Sequence, residues 1–155
     1  MQTFITSPNF KATAKALDDK RLGKQRVEAM QIENTLRVLN QGIPASRAIG
    51  TSRGWISHPA VLMWRGFEKM LGVYKNAMID EWIACGFKNT MKFSEDTKLY
   101  AMPRWYSNGE LLNRVINSHR ANLVRKNPEF YLPRFPEQEQ GNEVSYYWPR
   151  PAIVL

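Results

Sequence analysis

The sequence predicts an all-α fold: one compact domain spanning residues 1–155, built on three principal helices and closed by an irregular aromatic- and Pro-rich C-terminal tail. Three observations lead there. Apolar residues recur at three- and four-residue spacing through three long segments. Helix-starting Ser, Asn and Pro and helix-ending Gly and Pro stand at the borders of those segments. No stretch alternates apolar and polar residues as a half-buried strand would. A chain of this length buries roughly 68–70% of its unfolded surface, enough for one core without covalent staples.

Taken in order, the first residues, MQTFITSPNF, have neither a basic leader nor an apolar run, so no signal peptide and no membrane span is expected. Pro8 to Leu17 reads as a short helix. The first principal helix is expected from Asp18 to Asn40, where Gly42 and Pro44 end it. Leu22, Ala29 and Leu36 repeat by heptad with Met30 and Leu39 beside them, while Arg21, Lys24, Gln25 and Glu28 share a polar face. A small, basic loop follows from Gln41 to Gly54.

The second helix is expected to run unbroken from Ser57-His58-Pro59 to Gly86, with Pro at its start and Gly past its end. Val61, Trp64, Phe67, Leu71, Tyr74, Met78 and Trp82 form its apolar stripe. Gly66 and Gly72 each cost about 1 kcal/mol relative to Ala inside a helix, which predicts close packing or a bend. The third helix begins at Ser107-Asn108-Gly109-Glu110, read as a capping box, and stops before Pro128. Leu112, Val115, Ile116, His119 and Leu123 mark its buried side, with Arg114, Arg120, Arg125 and Lys126 around it. The remaining tail is expected to wrap over the helices.

Lys and Arg number 22 against 14 Asp and Glu, a formal charge of +8 that makes a polyanion the leading partner class. Trp105-Tyr106, Phe130-Tyr131 and Tyr146-Tyr147-Trp148 are aromatic clusters of the kind that stack on bases, although Pro-flanked aromatics equally serve to cap a core. Several enzyme classes fail on inventory: GxGxxG, GxxxxGK[ST] and GxSxG are all absent. Cys85 is the sole cysteine and His58 and His119 the sole histidines, too few for a Cys/His zinc site. His58 before Pro59 reads chiefly as a helix-start residue, His119 as a core histidine and Cys85 as a small core residue. The adjacent pairs Asp18-Asp19, Asp80-Glu81 and Glu95-Asp96 diverge on a helix and suit two-metal chemistry poorly.

Two groups keep a chemical reading. Glu28, one turn from Lys24, is either an ordinary helix ion pair or an acid/base catalyst. An unperturbed α-amino group titrates at about 7.7–8.0 and a lysine at about 10.4, so near neutrality roughly a tenth of the former and almost none of the latter is nucleophilic. The large Gln2 disfavours removal of the initiator, which assigns that amine to Met1.

The runs LDDKRLGKQRVEAMQI (Leu17 to Ile32), SHPAVLMWRGFEKML (Ser57 to Leu71), IDEWIACGF (Ile79 to Phe87) and SHRANLVRKNPEFY (Ser118 to Tyr131) together resemble the pyrimidine dimer DNA glycosylases of the phage endonuclease V type. The order and spacing of the blocks along most of the chain carry the likeness. It implies a helical domain with the amino-terminal segment threaded between the helices, acting as a monomer on damaged or modified duplex DNA, in the cytoplasm of a bacterium or a phage-infected host, with neither metal nor cofactor. It also implies that the terminal amine, here Met1, attacks the sugar C1′ and forms a Schiff base that permits strand nicking by β-elimination. Glu28 takes the place of the glutamate that moves protons and stabilises the cationic intermediate.

Arg21, Lys24 and Arg26 are then expected on flanking phosphates. Gln25, Arg53, His58, Arg65, Arg120 and Lys126 join them as DNA-facing candidates by charge and position. Two departures leave the lesion open between a pyrimidine dimer and another altered base: Val27 stands where the family has a basic residue before its glutamate, and Met1 puts a bulky side chain at the reacting amine. The alternatives to the enzyme are a non-catalytic nucleic-acid-binding protein on the same fold and a metal-dependent nuclease using Asp18 and Asp19.

Overall fold

The computed structural model describes residues 1–41, 53–139 and 145–150, with the side chains of Gln41, Arg53 and Gly54 outside that description. The element order is α1 (Phe10–Ala16), α2 (Asp19–Gln41), α3 (Arg53–Ile56), α4 (Pro59–Leu62), α5 (Glu68–Ala84), α6 (Arg104–Ser107), α7 (Gly109–Lys126) and α8 (Pro128–Tyr131), then a 3₁₀ turn at Pro136–Gln138. No strand occurs among the described residues, so the all-α expectation holds.

The short first helix forms because the Asn9 side chain accepts from Lys11 N–H (2.8 Å) and Ala12 N–H (3.2 Å). On α2 the heptad residues Leu22, Ala29 and Leu36 are fully buried, and both α1 and α2 pack on α5. The expected 57–86 helix is in fact two. His58 caps α4 through its Nδ1, which accepts from Ala60 N–H at 3.0 Å. The chain then bends at Gly66, whose φ of +87° suits a residue without Cβ, and Glu68 accepts from Gly66 N–H at 3.0 Å as α5 restarts. The stripe survives the break: Val61 and Trp64 reach the same core as Leu71, Tyr74 and Met78.

Gly72 lies against the irregular segment that follows α5, where a Cβ would come within 2.8 Å of the Ser94 Cβ. Gly86 ends α5 as expected, but Cys85 beside it is exposed, because the last turn of α5 extends past the core. α7 is capped by Asn108, which accepts from Leu111 N–H at 3.1 Å; Ser107 instead closes α6. Its predicted inner face, Leu112 to Leu123, is buried throughout. The tail is less irregular than expected: α8 forms a helical turn with Tyr131 in the core, while Tyr146, Tyr147 and Trp148 pack partly buried on the cluster. The expected loop is shorter than its 41–54 span, since Gln41 ends α2 and Arg53 opens α3; residues 42–52 between them, Arg47 included, and residues 140–143 of the acidic insert lie outside the described residues.

The amino-terminal segment is threaded between α2, α5 and α7, and residues 2–6 are all buried. It has no strand partner, so its backbone polar groups must be met by side chains. Phe4 N–H donates to Gln25 Oε1 (2.9 Å), Ile5 N–H to His119 Nδ1 (2.8 Å) and Thr6 N–H to Thr13 Oγ1 (3.2 Å). The carbonyls of Gln2, Phe4 and Thr6 accept from Gln25 Nε2 (2.9 Å), the Tyr74 hydroxyl (2.8 Å) and Arg120 Nε (2.8 Å). Trp64 Nε1 donates to Thr3 Oγ1 at 3.0 Å.

Candidate active site

The thread ends in a cleft of about 340 Å³ whose lining includes Met1, Gln2, Lys24, Glu28, Lys126 and Tyr146. Its floor is the polar face of α2. Glu28, half-buried, accepts at Oε2 from Gln2 N–H (3.2 Å) and from Gln25 Nε2 (3.0 Å). The carboxylate therefore holds the peptide N–H next to the residue that bears the terminal amine, and Met1 packs partly buried against the core. Lys20 and Lys24 are exposed one turn apart on the same helix, and exposed Lys126 closes the cleft from the end of α7. Lys20 was absent from the sequence reading; its four-residue spacing to Lys24, and that of Lys24 to Glu28, is the signal that places it there.

Among the described residues the N-terminal ammonium makes no ion pair with a carboxylate. Its charge is felt by His58, whose pKa is lowered first by burial and then by that ammonium. Tyr146 is pushed up chiefly by burial and stays a neutral phenol at the cleft wall. The arrangement brings together an α-amine, a carboxylate and a ring of cations in a concave, polar-walled space. That set can attack an electrophilic carbon, shelter a developing positive charge and hold an anionic backbone.

The other sequence candidates are placed differently. Gln25 is 1% exposed and directs its whole carboxamide inward. Arg21 bridges to Asp18 at 3.1 Å on the cleft edge. Burial alone would raise the Asp18 carboxyl, but hydrogen bonds from Tyr131 and Arg21 outweigh it and hold its pKa below the ordinary value. Asp18 is thus committed to Tyr131 and Arg21, and no group of three or more His, Cys, Asp or Glu side chains suited to a metal occurs among the described residues.

Arg26 points away from the cleft, lying 4.2 Å over the Trp82 ring and donating to Asn89 Oδ1 at 3.0 Å. Arg120 spans Thr6 O and Glu137, and His58 is a cap that meets Trp148 edge to face. Arg65 is exposed at the α4–α5 bend, outside the cleft lining, and the side chain of Arg53 lies outside the described residues. In the tail, Arg114 stacks on Tyr147 (4.1 Å) and Arg134 on Phe130 (3.8 Å), so those aromatics already have partners within the protein.

A larger groove of about 1010 Å³ runs between α2, α5 and residues 92–101. Its buried charges are mutually satisfied, Lys75 donating to Glu33 at 2.7 Å and Ser94 Oγ to the same carboxylate at 2.5 Å, and the terminal amine lies in the smaller cleft instead.

No helix among the described residues is long and apolar enough to cross a membrane. No curated protein and no solved structure matches the chain. A family model described as pyrimidine dimer DNA glycosylase matches residues 1–95, which include the thread, α2, α4, α5 and with them Met1, Gln25 and Glu28. With that match covering more than half of the sequence, the chain belongs to the pyrimidine dimer DNA glycosylase family.

Proposed function

We propose that this protein is a DNA N-glycosylase with an associated lyase step, using the Met1 amine as nucleophile and Glu28 as the carboxylate that manages protons and charge, without a metal. One observation carries the reading: Gln2 N–H donates to Glu28 Oε2 at 3.2 Å, so the thread delivers the terminal amine beside a carboxylate in a cation-rimmed cleft. Family membership supplies damaged DNA as the substrate class.

In the proposed sequence the neutral amine forms a bond to C1′ while the glycosidic C1′–N bond breaks, the base leaving with the bonding pair and a proton. The nitrogen then loses a proton and its lone pair opens the C1′–O4′ bond. O4′ takes a proton and an iminium results. Removal of a C2′ proton expels the 3′ phosphate and cuts the strand, and water finally releases the enzyme. Glu28 stands where positive charge develops and within one residue of the atoms that gain and lose protons. Lys24, Lys126 and Lys20 are assigned to the flanking phosphates, with Arg21 held at the cleft edge by Asp18.

The test is borohydride trapping in chelator on duplexes bearing an abasic site or ultraviolet dimers, with mass mapping of the adduct. A crosslink on the Met1 amine, and loss of excision by roughly 10²–10⁴-fold in Glu28→Gln with duplex affinity kept, are expected. A crosslink on a lysine would overturn the amine assignment. Binding without any adduct would leave a non-catalytic DNA-binding protein or a glycosylase that uses water as its nucleophile, and activity abolished by the chelator would leave a metal nuclease.

A further inference from the structure

Gln25 occupies an unusual place for a polar residue on a helix face that looks toward the cleft. A carboxamide has two donor hydrogens and two acceptor sites, and here every one is engaged within the protein. Oε1 accepts from Phe4 N–H at 2.9 Å and from the Tyr74 hydroxyl at 2.6 Å. Nε2 donates to the Gln2 carbonyl at 2.9 Å and to Glu28 Oε2 at 3.0 Å. The orientation follows from the partners, since the Phe4 N–H can only donate and the Gln2 carbonyl can only accept. With 1% of its surface exposed, the side chain has no water to exchange partners with.

One amide thus grips the thread on both sides of Thr3 and holds the carboxylate of Glu28, which lies one turn further along the same helix. Tyr74 locks the grip from α5, sharing its hydroxyl proton between Gln25 Oε1 and the Phe4 carbonyl at 2.8 Å. Burial first, and then the charge of Glu28, push the Tyr74 phenol well above its ordinary pKa, so it remains a donor. We propose that Gln25 is a positioning residue that sets the separation of the Met1 amine and the Glu28 carboxylate for attack on C1′. The inference rests on the amine-nucleophile reading above. It explains why the position carries an amide: a carboxylate there would turn an oxygen toward both the Gln2 carbonyl and Glu28, and an apolar side chain would leave the thread and Glu28 unlinked.

The experiment compares wild type, Gln25→Met and Gln25→Glu by single-turnover borohydride trapping on an abasic duplex, alongside affinity for undamaged duplex. Gln25→Met is expected to slow trapping by roughly tenfold to a hundredfold, the scale of loss that a misplacement of about 1 Å causes. Its duplex affinity should stay within about twofold, because the cations of the cleft are untouched. In Gln25→Glu only the protonated side chain can donate at all, with one hydrogen where the amide has two. The ratio of its rate to that of wild type should therefore fall as pH rises from about 5 to about 8. The Met1 ammonium, Lys20, Arg21, Lys24, Lys126, Glu28 and the Tyr74 and Tyr146 phenols face the position in both proteins, and Gln25→Met, which adds no charge, separates the geometric loss from any shift that the new carboxylate imposes on them.

Wild type that fails to trap overturns the amine reading and this inference with it. Wild type that traps while both variants trap at its rate overturns the inference alone. Equal losses of trapping and of affinity in Gln25→Met assign the residue a structural role and overturn it too. Should Gln25→Met not fold, the pH dependence of Gln25→Glu decides: a flat ratio refutes the inference and a falling one sustains it.

Discussion

Acid should loosen the amino-terminal thread through one residue, His119. Its imidazole is fully buried, Nδ1 accepts from Ile5 N–H at 2.8 Å, and Nε2 has no hydrogen-bond partner. Accepting at Nδ1 requires the neutral ring, with its proton on Nε2; the imidazole meets Phe4 and Tyr146 edge to face, with ring centroids 6.0 Å apart in each pair. Burial pulls the pKa down from 6.5 to about 3. The sign follows from proton counts: between those values the unfolded chain binds a proton that the native state refuses, so stability falls as pH drops below the unfolded pKa. From pH 7 to pH 5 the loss amounts to about 2 kcal/mol.

Urea denaturation of wild type and His119→Gln at both pH values measures it, since the other titrating groups are common to the two proteins. Gln retains an acceptor without titrating, so wild type should lose about 2 kcal/mol more than the variant over that interval. Parallel losses in the two proteins would refute the reasoning, because they would mean that the native imidazole takes up its proton as readily as the unfolded one. A second consequence ties the linkage to the site. A protonated ring cannot accept from Ile5 N–H, and the thread that carries Met1 loses one of its anchors.

Other perturbations separate the cleft from the scaffold. Lys24→Ala and Lys126→Ala should each weaken binding to any duplex sequence and lower the slope of log affinity against log salt by about 0.9, whereas Arg26→Ala, with its guanidinium on Trp82, should leave that slope unchanged. Salt titrations of duplex binding read this directly, and a full unit lost in Arg26→Ala would reverse the assignment. Gly66→Ala should cost about 1–2 kcal/mol in thermal or urea unfolding because φ is +87° there. Gly109→Ala, at the first position of α7 with open space around a Cβ, should be neutral or add up to about 1 kcal/mol. Equal effects at the two glycines would argue against the bend between α4 and α5.

The helices were legible because their information is local. Leu22, Ala29 and Leu36, and the α7 face from Leu112 to Leu123, state their burial by spacing alone. The break at Gly66 was half legible: two interior glycines predicted a bend or a close approach, and the structure uses Gly66 for the first and Gly72 for the second, a division that depends on Glu68 and Ser94 reaching them. Capping at α7 was misassigned by one residue since Ser107 and Asn108 are both good caps, and α6 takes the former. Cys85 was expected in the core on composition, and the overhang of the last α5 turn exposes it. Of the site, the polar face of Arg21, Lys24, Gln25 and Glu28 could be read, but not which member turns inward. That choice is made by Gln2, Phe4 and Tyr74, which arrive from the thread and from another helix.

The same distinction sorts the cations. Net charge treats all basic residues alike, yet several are engaged by the protein itself: Arg26 on Trp82, Arg114 on Tyr147, Arg134 on Phe130, and Arg120 between Thr6 and Glu137. A guanidinium already stacked or hydrogen-bonded gains less from a phosphate, because it must give up those contacts to reach one. Lys20, Lys24 and Lys126 converge exposed on the cleft instead. Phosphates drawn there would bring C1′ of the intervening nucleotide toward the end of the thread, where the chain presents its amine and Glu28 together. In this reading the basic surface contributes less through its total charge than through where the uncommitted part of it lies, and the aromatic tail serves the core that keeps the thread in register.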